Sequence, residues 1–388
     1  MNNFGNHKNL LLMVLLIIFI GSFLMYSASS SFALYTFNKS DSYFFVKHII
    51  WFLIGMVGLF VLSNINYRFL KDNAILILFV SWIIMFIPIL QKLLFNGDSI
   101  ARWLKIGNFS LMTTSDFGKL GIIIFTSMFI DKYHHRISDF KFLIKNFLPY
   151  LVITISLILW QPDLSTSVVL ILIIFSMLYI AGISNKIIFS SLILCFLSFI
   201  SIIFLYQIGQ ILGFEISNYQ QQRLFNWLSS FGTNQQYDQS YFSVLALANG
   251  GFLGRGIGDS VFKYNGFIPE GQTDFILAII GEEIGFIGIL IIFSIFLILF
   301  FQGINIAQNS SNRFSMFLSL GIITNIFIYL LINAFYVIGI LPTTGLPIPF
   351  ISYGGSQTIF TLSSIGILLN ISKSNFQNKN YRNYYVKV

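Results

Sequence analysis

Residues 274–301 read DFILAIIGEEIGFIGILIIFSIFLILFF. Past Asp274, Glu282 and Glu283 are the only charged residues in a strongly apolar run. Such a run suits a helix crossing about 30 Å of hydrocarbon, where each backbone N–H and C=O must find its partner inside the same helix. It lacks the strict polar/apolar alternation of a β-barrel strand. Nine other stretches repeat this character, so ten spans are expected at residues 10–29, 46–63, 74–95, 117–131, 146–160, 164–182, 187–213, 274–301, 314–340 and 352–371. The expected fold is an all-α integral membrane protein, a polytopic bundle of about ten transmembrane helices. Residues 1–371 form a single ten-helix domain in this reading, and 372–388 a short basic cytoplasmic tail.

Composition points the same way. Of 388 residues, 56% are hydrophobic and 9% charged, against about 25% charged in a typical soluble domain. The mean hydropathy is +0.81. This chain cannot cover a globule with polar surface, which excludes a cytosolic enzyme, a nucleic-acid binder and a disordered protein. The net charge of +8 would suggest nucleic acid in a soluble chain; here its placement sets orientation instead. The single cysteine, Cys195, sits in an apolar run and can build neither a disulfide nor a Cys-rich metal site. His7 and Lys8 ahead of Leu10–Ile20 have the look of a secretory signal, but nine later spans favour a retained anchor.

With the N-terminus in the cytoplasm, the inner loops collect Lys8, Arg68, Lys71, Lys132, Arg136, Lys141, Lys145, Lys186, Arg313, Lys373, Lys379, Arg382 and Lys387, thirteen of 22 basic residues. The positive-inside bias therefore places both termini in the cytoplasm. One connection stands apart. The extracytoplasmic stretch 214–273, between spans seven and eight, is a loop of about 60 residues, and loops that long in a compact protein are usually functional or disordered. Tyr219, Phe225, Trp227, Phe231, Tyr237, Tyr241, Phe242 and Phe252 make it too aromatic for a disordered linker. It is expected to fold back onto the membrane surface beside the outer loop 96–116, which carries Arg102, Trp103 and Lys105.

Ionisable side chains are costly inside a bilayer, so their positions carry information. Mid-span they are nearly confined to Glu282 and Glu283, whereas Arg102, Lys105, Asp116, Lys119, Asp163, Arg223, Arg255, Lys263, Glu270 and Asp274 gather at the outer interface. A site there suits an amphiphilic substrate with a charged headgroup. Taken singly, the motifs have structural readings. Asp163 in Gln161-Pro162-Asp163 suits the cap of span six, and Thr273 that of span eight, with Asp274 at the positive helix end. Glu282 and Glu283 could pair with a basic residue from another helix. Gly281, Gly285 and Gly288 read as close helix packing, and Gly254-Arg255-Gly256-Ile257-Gly258, with no strand before it, as a flexible turn. Pro342, Pro347 and Pro349 with Gly345, Gly354 and Gly355 mark irregular backbone, tolerated at membrane depth only when buried or lining a cavity.

Together these motifs are far more specific. Arg102-Trp103, Ser115-Asp116-Phe117-Gly118-Lys119, Gln161-Pro162-Asp163, Pro269-Glu270-Gly271-Gln272-Thr273-Asp274-Phe275, Gly281-Glu282-Glu283-Ile284-Gly285 and the run from Leu341 to Ser356 (LPTTGLPIPFISYGGS) follow in one order. The series closely resembles the SEDS family (shape, elongation, division and sporulation), the bacterial FtsW, RodA and SpoVE proteins, over residues 10–371. The stretch from Gly256 to Lys263 before Ile268-Pro269-Glu270 leans towards the FtsW-like members.

The resemblance implies a peptidoglycan glycosyltransferase of cell division (FtsW-like) or elongation (RodA-like). Its substrate would be lipid II, the undecaprenyl-diphosphate-linked disaccharide-peptide, polymerised at the outer face of the bacterial cytoplasmic membrane. Partners implied are a class B penicillin-binding protein transpeptidase and other divisome or elongasome membrane proteins; no nucleic acid is expected. The catalytic carboxylate falls on Asp274, which would take the proton of the attacking sugar hydroxyl. Substrate contacts are expected from Arg102, Lys119, Asp116, Asp163, Arg223, Lys263, Glu270, Ser352 and Ser356. Lys119 either touches phosphate or pairs with Asp274 or Asp116. No cofactor is firmly implied, although a divalent cation, Mg or Mn, could share the pyrophosphate charge.

The chain departs from the family pattern in places. Gln272 stands where His is usual, Thr113-Thr114 where Gln-Pro is usual, Asp116 for Glu, Trp227-Leu228-Ser229-Ser230 for Phe-Leu-Asp-Pro, and Gln357 for a second Ser. These departures bear on substrate positioning and pH dependence. Two rival readings are a lipid II translocase (flippase) and a non-catalytic scaffold for the transpeptidase.

Overall fold

The computed structural model describes residues 6–37, 39–95, 103–106, 109–184, 227, 239–268 and 271–386. The chain runs through α1 (Asn6–Phe37), α2 (Tyr43–Asn64), α3 (Tyr67–Asp72), α4 (Ala74–Phe95), a hairpin of β1 (Trp103–Ile106) and β2 (Phe109–Thr113), α5 (Ser115–Tyr133) and α6 (Phe140–Asn146). It continues through α7 (Leu148–Trp160), α8 (Leu164–Ile180), α9 (Gln239–Gly250), α10 (Val261–Tyr264), α11 (Ile276–Gln308), α12 (Arg313–Val337) and α13 (Gly355–Val386). Helices therefore occupy nine of the ten expected spans; the seventh, 187–213, and the parts 214–226, 228–238 and 269–270 of the long loop lie outside the described residues.

The architecture is a polytopic membrane helix bundle. Among the described residues, α1, α2, α4, α11 and α12 are each long and apolar enough to cross a membrane, and α6 with α7, bent by 50°, are so when taken together. The hairpin is a small addition to the all-α expectation, pairing Trp103 with Thr113 across antiparallel strands. α13 runs past the expected end at 371 as far as Val386. Between Ile367 and Val386 the sequence offers neither glycine nor proline to stop it.

Without a hydrophobic drive between helices in lipid, close backbone approach has to hold them together. α2 and α13 show this: a Cβ added to Gly366 would stand 2.4 Å from the Leu59 carbonyl oxygen. α12 is the central helix, packed on α11, α5 and α8. At the end of the bundle where α2 finishes, polar ties close the structure. The Asn370 side chain accepts from the Tyr67 N–H at 3.0 Å and donates to the Ser63 carbonyl at 3.0 Å, and Lys71 pairs with Asp131 at 2.6 Å.

The glycines of α11 serve a different purpose from simple packing. At Gly285 the backbone leaves helical geometry (φ 69°, ψ −171°). The chain at 251–256 inserts beside this break: Arg255 and Gly256 donate their N–H groups to the carbonyls of Glu282 and Glu283, while Phe286 and Ile287 donate to those of Gly251 and Phe252. The expected flexible turn at 254–258 is thus partly a docked one, and its opening residues satisfy the backbone groups that the break exposes.

Both glutamates are buried and partnered. Glu282 accepts from Asn249 Nδ2 at 2.7 Å, from the Ser260 hydroxyl and from the N–H groups of Val261 and Phe262. Glu283 accepts from Lys263 Nζ at 2.8 Å and from Ser27 Oγ at 2.6 Å.

Candidate active site

Asp274 immediately precedes α11 and lines a cavity of about 740 Å³. The lining is built from helix starts. Ser115 and Asp116 open α5, Asp163 and Thr166 open α8, Thr273 to Phe275 lead into α11, and Gly354 to Gln357 begin α13. The rest comes from Trp103, Thr113, Gln239, Phe242, Phe267, Tyr329 of α12, Thr343, the irregular stretch Gly345 to Pro347, and Tyr353. Helix N-termini carry partial positive charge and unsatisfied N–H groups, so four of them around one cavity favour a bound anion.

The carboxylates of the lining are held in distinct ways. Asp163 caps α8, accepting from the Thr166 N–H at 3.3 Å and its hydroxyl at 2.7 Å, and it also accepts from Ser115 Oγ at 3.2 Å. The cap and the cavity are thus served by one side chain. Asp116 accepts from Thr113 Oγ1 at 2.7 Å and pairs with Lys119 Nζ at 2.6 Å; both members of the pair are buried. The Lys119 ammonium also donates to the Tyr329 hydroxyl. Lys119 lies beneath the lining, facing a smaller cavity of about 20 Å³. Of the pairings open to Lys119, the structure shows the one with Asp116.

Other expected residues fall elsewhere. Lys263 is buried against Glu283 and also donates to the Ser27 carbonyl at 3.0 Å, outside the cavity lining. The reason is its position on α10, whose docking on the broken α11 turns the ammonium inward. Ser352 is likewise buried and outside the lining, its hydroxyl accepting from the Ile348 N–H at 2.8 Å within the irregular stretch. Ser356 does reach the cavity, and its Oγ accepts from the Thr113 N–H at 2.9 Å, joining β2 to α13. Arg102, Arg223 and Glu270 lie outside the described residues. The N-cap position of α11 is Phe275 rather than Thr273.

Sequence reasoning gave no role to Gln161, Tyr329, Asn333 or Tyr336. Gln161 accepts from Thr114 Oγ1 at 3.1 Å and donates to the Met85 carbonyl at 2.7 Å, tying α4 to the starts of α5 and α8. Its place beside Asp163 was the available signal; the two tyrosines and Asn333 sit in an apolar span that offers none. Among the described residues, no three His, Cys, Asp or Glu side chains come close enough to hold a metal ion. The three lining carboxylates do not by themselves form a ready-made divalent-cation site.

The comparisons with known proteins agree with one another. The family model described as cell cycle protein, covering FtsW, RodA and SpoVE, matches residues 7–377. The probable peptidoglycan glycosyltransferase FtsW of Trichlorobacter lovleyi is 35% identical over 368 residues, 94% of this chain and 92% of that one. Stage V sporulation protein E of Bacillus subtilis is 33% identical over 375 residues, 94% and 96% of the two chains. In three dimensions the chain is similar to one from a peptidoglycan synthase complex, with a TM-score of 0.72 at 18% identity over 95% of this chain and 98% of that one. The rod shape determining protein RodA of Thermus thermophilus gives 0.64 at 18% identity, over 95% and 97%. At that identity the structural likeness speaks for the fold, while the family match over nearly the whole chain and the sequence relatives speak for descent. The chain belongs to the FtsW, RodA and SpoVE family of cell cycle proteins, the SEDS family.

Proposed function

We propose that this protein is a peptidoglycan glycosyltransferase that polymerises lipid II at the outer face of the bacterial cytoplasmic membrane, with both termini in the cytoplasm. The observation that carries the reading is Asp274 on the wall of a cavity ringed by four helix N-termini. That arrangement offers a proton acceptor and a field suited to a departing anion in one place.

In the proposed step, the C4 hydroxyl oxygen of one saccharide attacks the anomeric carbon of another. The new O4–C1 bond forms as the bond from C1 to the phosphate oxygen breaks. The hydroxyl proton passes to the Asp274 carboxylate, and the lipid pyrophosphate leaves with the electron pair. The helix N-termini of α5, α8 and α13 stabilise its charge. Arg102 and Arg223 are proposed to add cationic contacts. Lys119, tied to Asp116 and Tyr329, has a structural part instead.

The relatives named FtsW and the stretch from Gly256 to Lys263 favour a role in cell division. A class B penicillin-binding protein is the proposed partner; one structural neighbour comes from a peptidoglycan synthase complex that coordinates polymerization and crosslinking. We further propose that 1–371 form one domain and 372–388 a cytoplasmic tail.

The test is polymerisation of labelled lipid II by purified protein, with and without its transpeptidase partner, alongside flipping in sealed vesicles. Wild type is expected to make glycan strands, and Asp274→Asn to make none while remaining folded in the membrane. Normal strands from Asp274→Asn remove that carboxylate from the mechanism, and flipping without polymer moves the function to transport. Arg102→Ala is expected to weaken substrate use more than protein level.

A further inference from the structure

We propose that Asn333 and Tyr336 are positioning residues for Asp274, a hydrogen-bonded clamp that sets where the proton acceptor stands in the cavity. This rests on the reading of Asp274 as the acceptor. The two residues lie one turn apart on α12 and are both completely buried. Asn333 Nδ2 stands 2.8 Å from the Asp274 carbonyl oxygen, 2.8 Å from that of Leu346 and 2.6 Å from Tyr336 Oη. Tyr336 Oη is 2.6 Å from the Asp274 carbonyl oxygen and 3.1 Å from that of Leu346.

The donors can be counted. An amide nitrogen brings two hydrogens and a phenol one. One assignment uses all three: Asn333 donates to the Leu346 carbonyl and to Tyr336 Oη, and Tyr336 donates to the Asp274 carbonyl. Flipping the amide would set Asn333 Oδ1 against two carbonyl oxygens, so the carbonyls fix its orientation. Oδ1 itself is buried, with no hydrogen-bond partner among the described residues.

Asp274 lies ahead of the first turn of α11, whose N-cap residue, Phe275, has no side-chain group able to cap the helix. The clamp supplies a fixture from α12, reinforced by the Phe275 ring meeting Tyr336 edge-on at 5.6 Å. Its second carbonyl belongs to Leu346, which lines the cavity between Gly345 and Pro347. The Asn333–Tyr336 pair therefore joins two walls of one cavity, the acceptor wall and the irregular wall. A second tie, from the Tyr353 N–H to the Gln272 carbonyl at 3.0 Å, connects the same two segments.

The experiment uses the full-length protein, pure in detergent, with labelled lipid II. Tyr336→Phe keeps the ring and removes the phenol donor; Asn333→Asp keeps the shape and replaces the amide donor by an acceptor. Misplacing a reacting group by about 1 Å costs on the order of 100-fold in rate, so each variant should lose at least about tenfold in kcat. KM and lipid II binding should stay near wild type, because neither side chain lines the cavity. Wild-type kcat in a folded Tyr336→Phe overturns the clamp, and so does a loss confined to KM. If Asn333→Asp does not fold, Tyr336→Phe decides alone; if that also fails to fold, the pair is structural and the positioning role is lost. Failure of the underlying reading looks different, since wild type would then make no polymer or Asp274→Asn would still make it.

Discussion

At the scale of residues, Asp116, Lys119 and Tyr329 form a buried polar knot beneath the cavity, with Thr113 donating to the same carboxylate at 2.7 Å. A buried ion pair is not strongly stabilising compared with an apolar replacement, yet removing one partner leaves the other charge stranded. Asp116→Asn should therefore lower stability by about 3–5 kcal/mol, read as a fall in melting temperature in detergent. Asp116→Asn with Lys119→Met should recover most of that loss, so the double-mutant cycle should show strong coupling. Additive effects would mean that the two charges are separately solvated and the pairing carries no energy. Asp116, Asp163, Asp274 and Ser356 could be picked out in the sequence because they sit in polar clusters at the starts of apolar runs. Tyr329, Asn333 and Tyr336 could not, because each lies inside an apolar span and meets polar groups from segments distant in the sequence. Lys263 shows the opposite error. A cation at the membrane interface invites a substrate-facing reading, and its true neighbour, Glu283, lies 20 residues further on inside the next span.

At the scale of elements, the informative feature is the interruption of α11 rather than its length. The apolar run fixes a helix there by composition alone, but hydropathy cannot show that Gly285 breaks it or that the chain at 251–256 fills the gap. The double glutamate was the visible clue: two adjacent buried carboxylates require many donors, and Asn249, Ser260, Val261, Phe262 and Lys263 supply them from one preceding stretch. Gly285→Ala tests this docking. The φ of 69° and ψ of −171° at Gly285 fall in a region essentially restricted to glycine, costing an L-residue on the order of 1–3 kcal/mol, and here the new Cβ would also stand 2.3 Å from the Gly254 nitrogen. Gly182 is the control, with φ near 90° and nothing within 4 Å of an added Cβ. Gly182→Ala should show only the conformational cost. Gly285→Ala should lose clearly more and release amide exchange protection across 249–263. Equal losses in the two variants, with exchange unchanged, would show that the docking contributes nothing beyond backbone conformation.

At the scale of the whole molecule, the two ends of the bundle differ in kind. One end gathers the starts of α5, α8, α11 and α13 around the cavity, and α2 begins there too, since Phe44 meets the ring of cavity-lining Tyr353 at 5.3 Å. The other end holds Lys71, Lys132, Arg136 and Arg313 on the short connections, together with the ties from Tyr67 to Asn370. The positive-inside bias predicts that these basic residues stay on the cytoplasmic side, which would set the cavity on the opposite face, where a lipid-linked saccharide would be met. Two single-cysteine variants in a Cys195→Ser background decide the orientation. Ser40→Cys lies exposed in the connection before α2 at the cavity end, and Asn64→Cys lies exposed at the far end of that helix. In intact cells a membrane-impermeant maleimide should label residue 40 at once and residue 64 only after permeabilisation. The reverse pattern would put Asp274 on the cytoplasmic side, leaving the carboxylate unable to act on a substrate displayed outside. Labelling of both before permeabilisation would break the link between loop charge and orientation on which the assignment of faces depends.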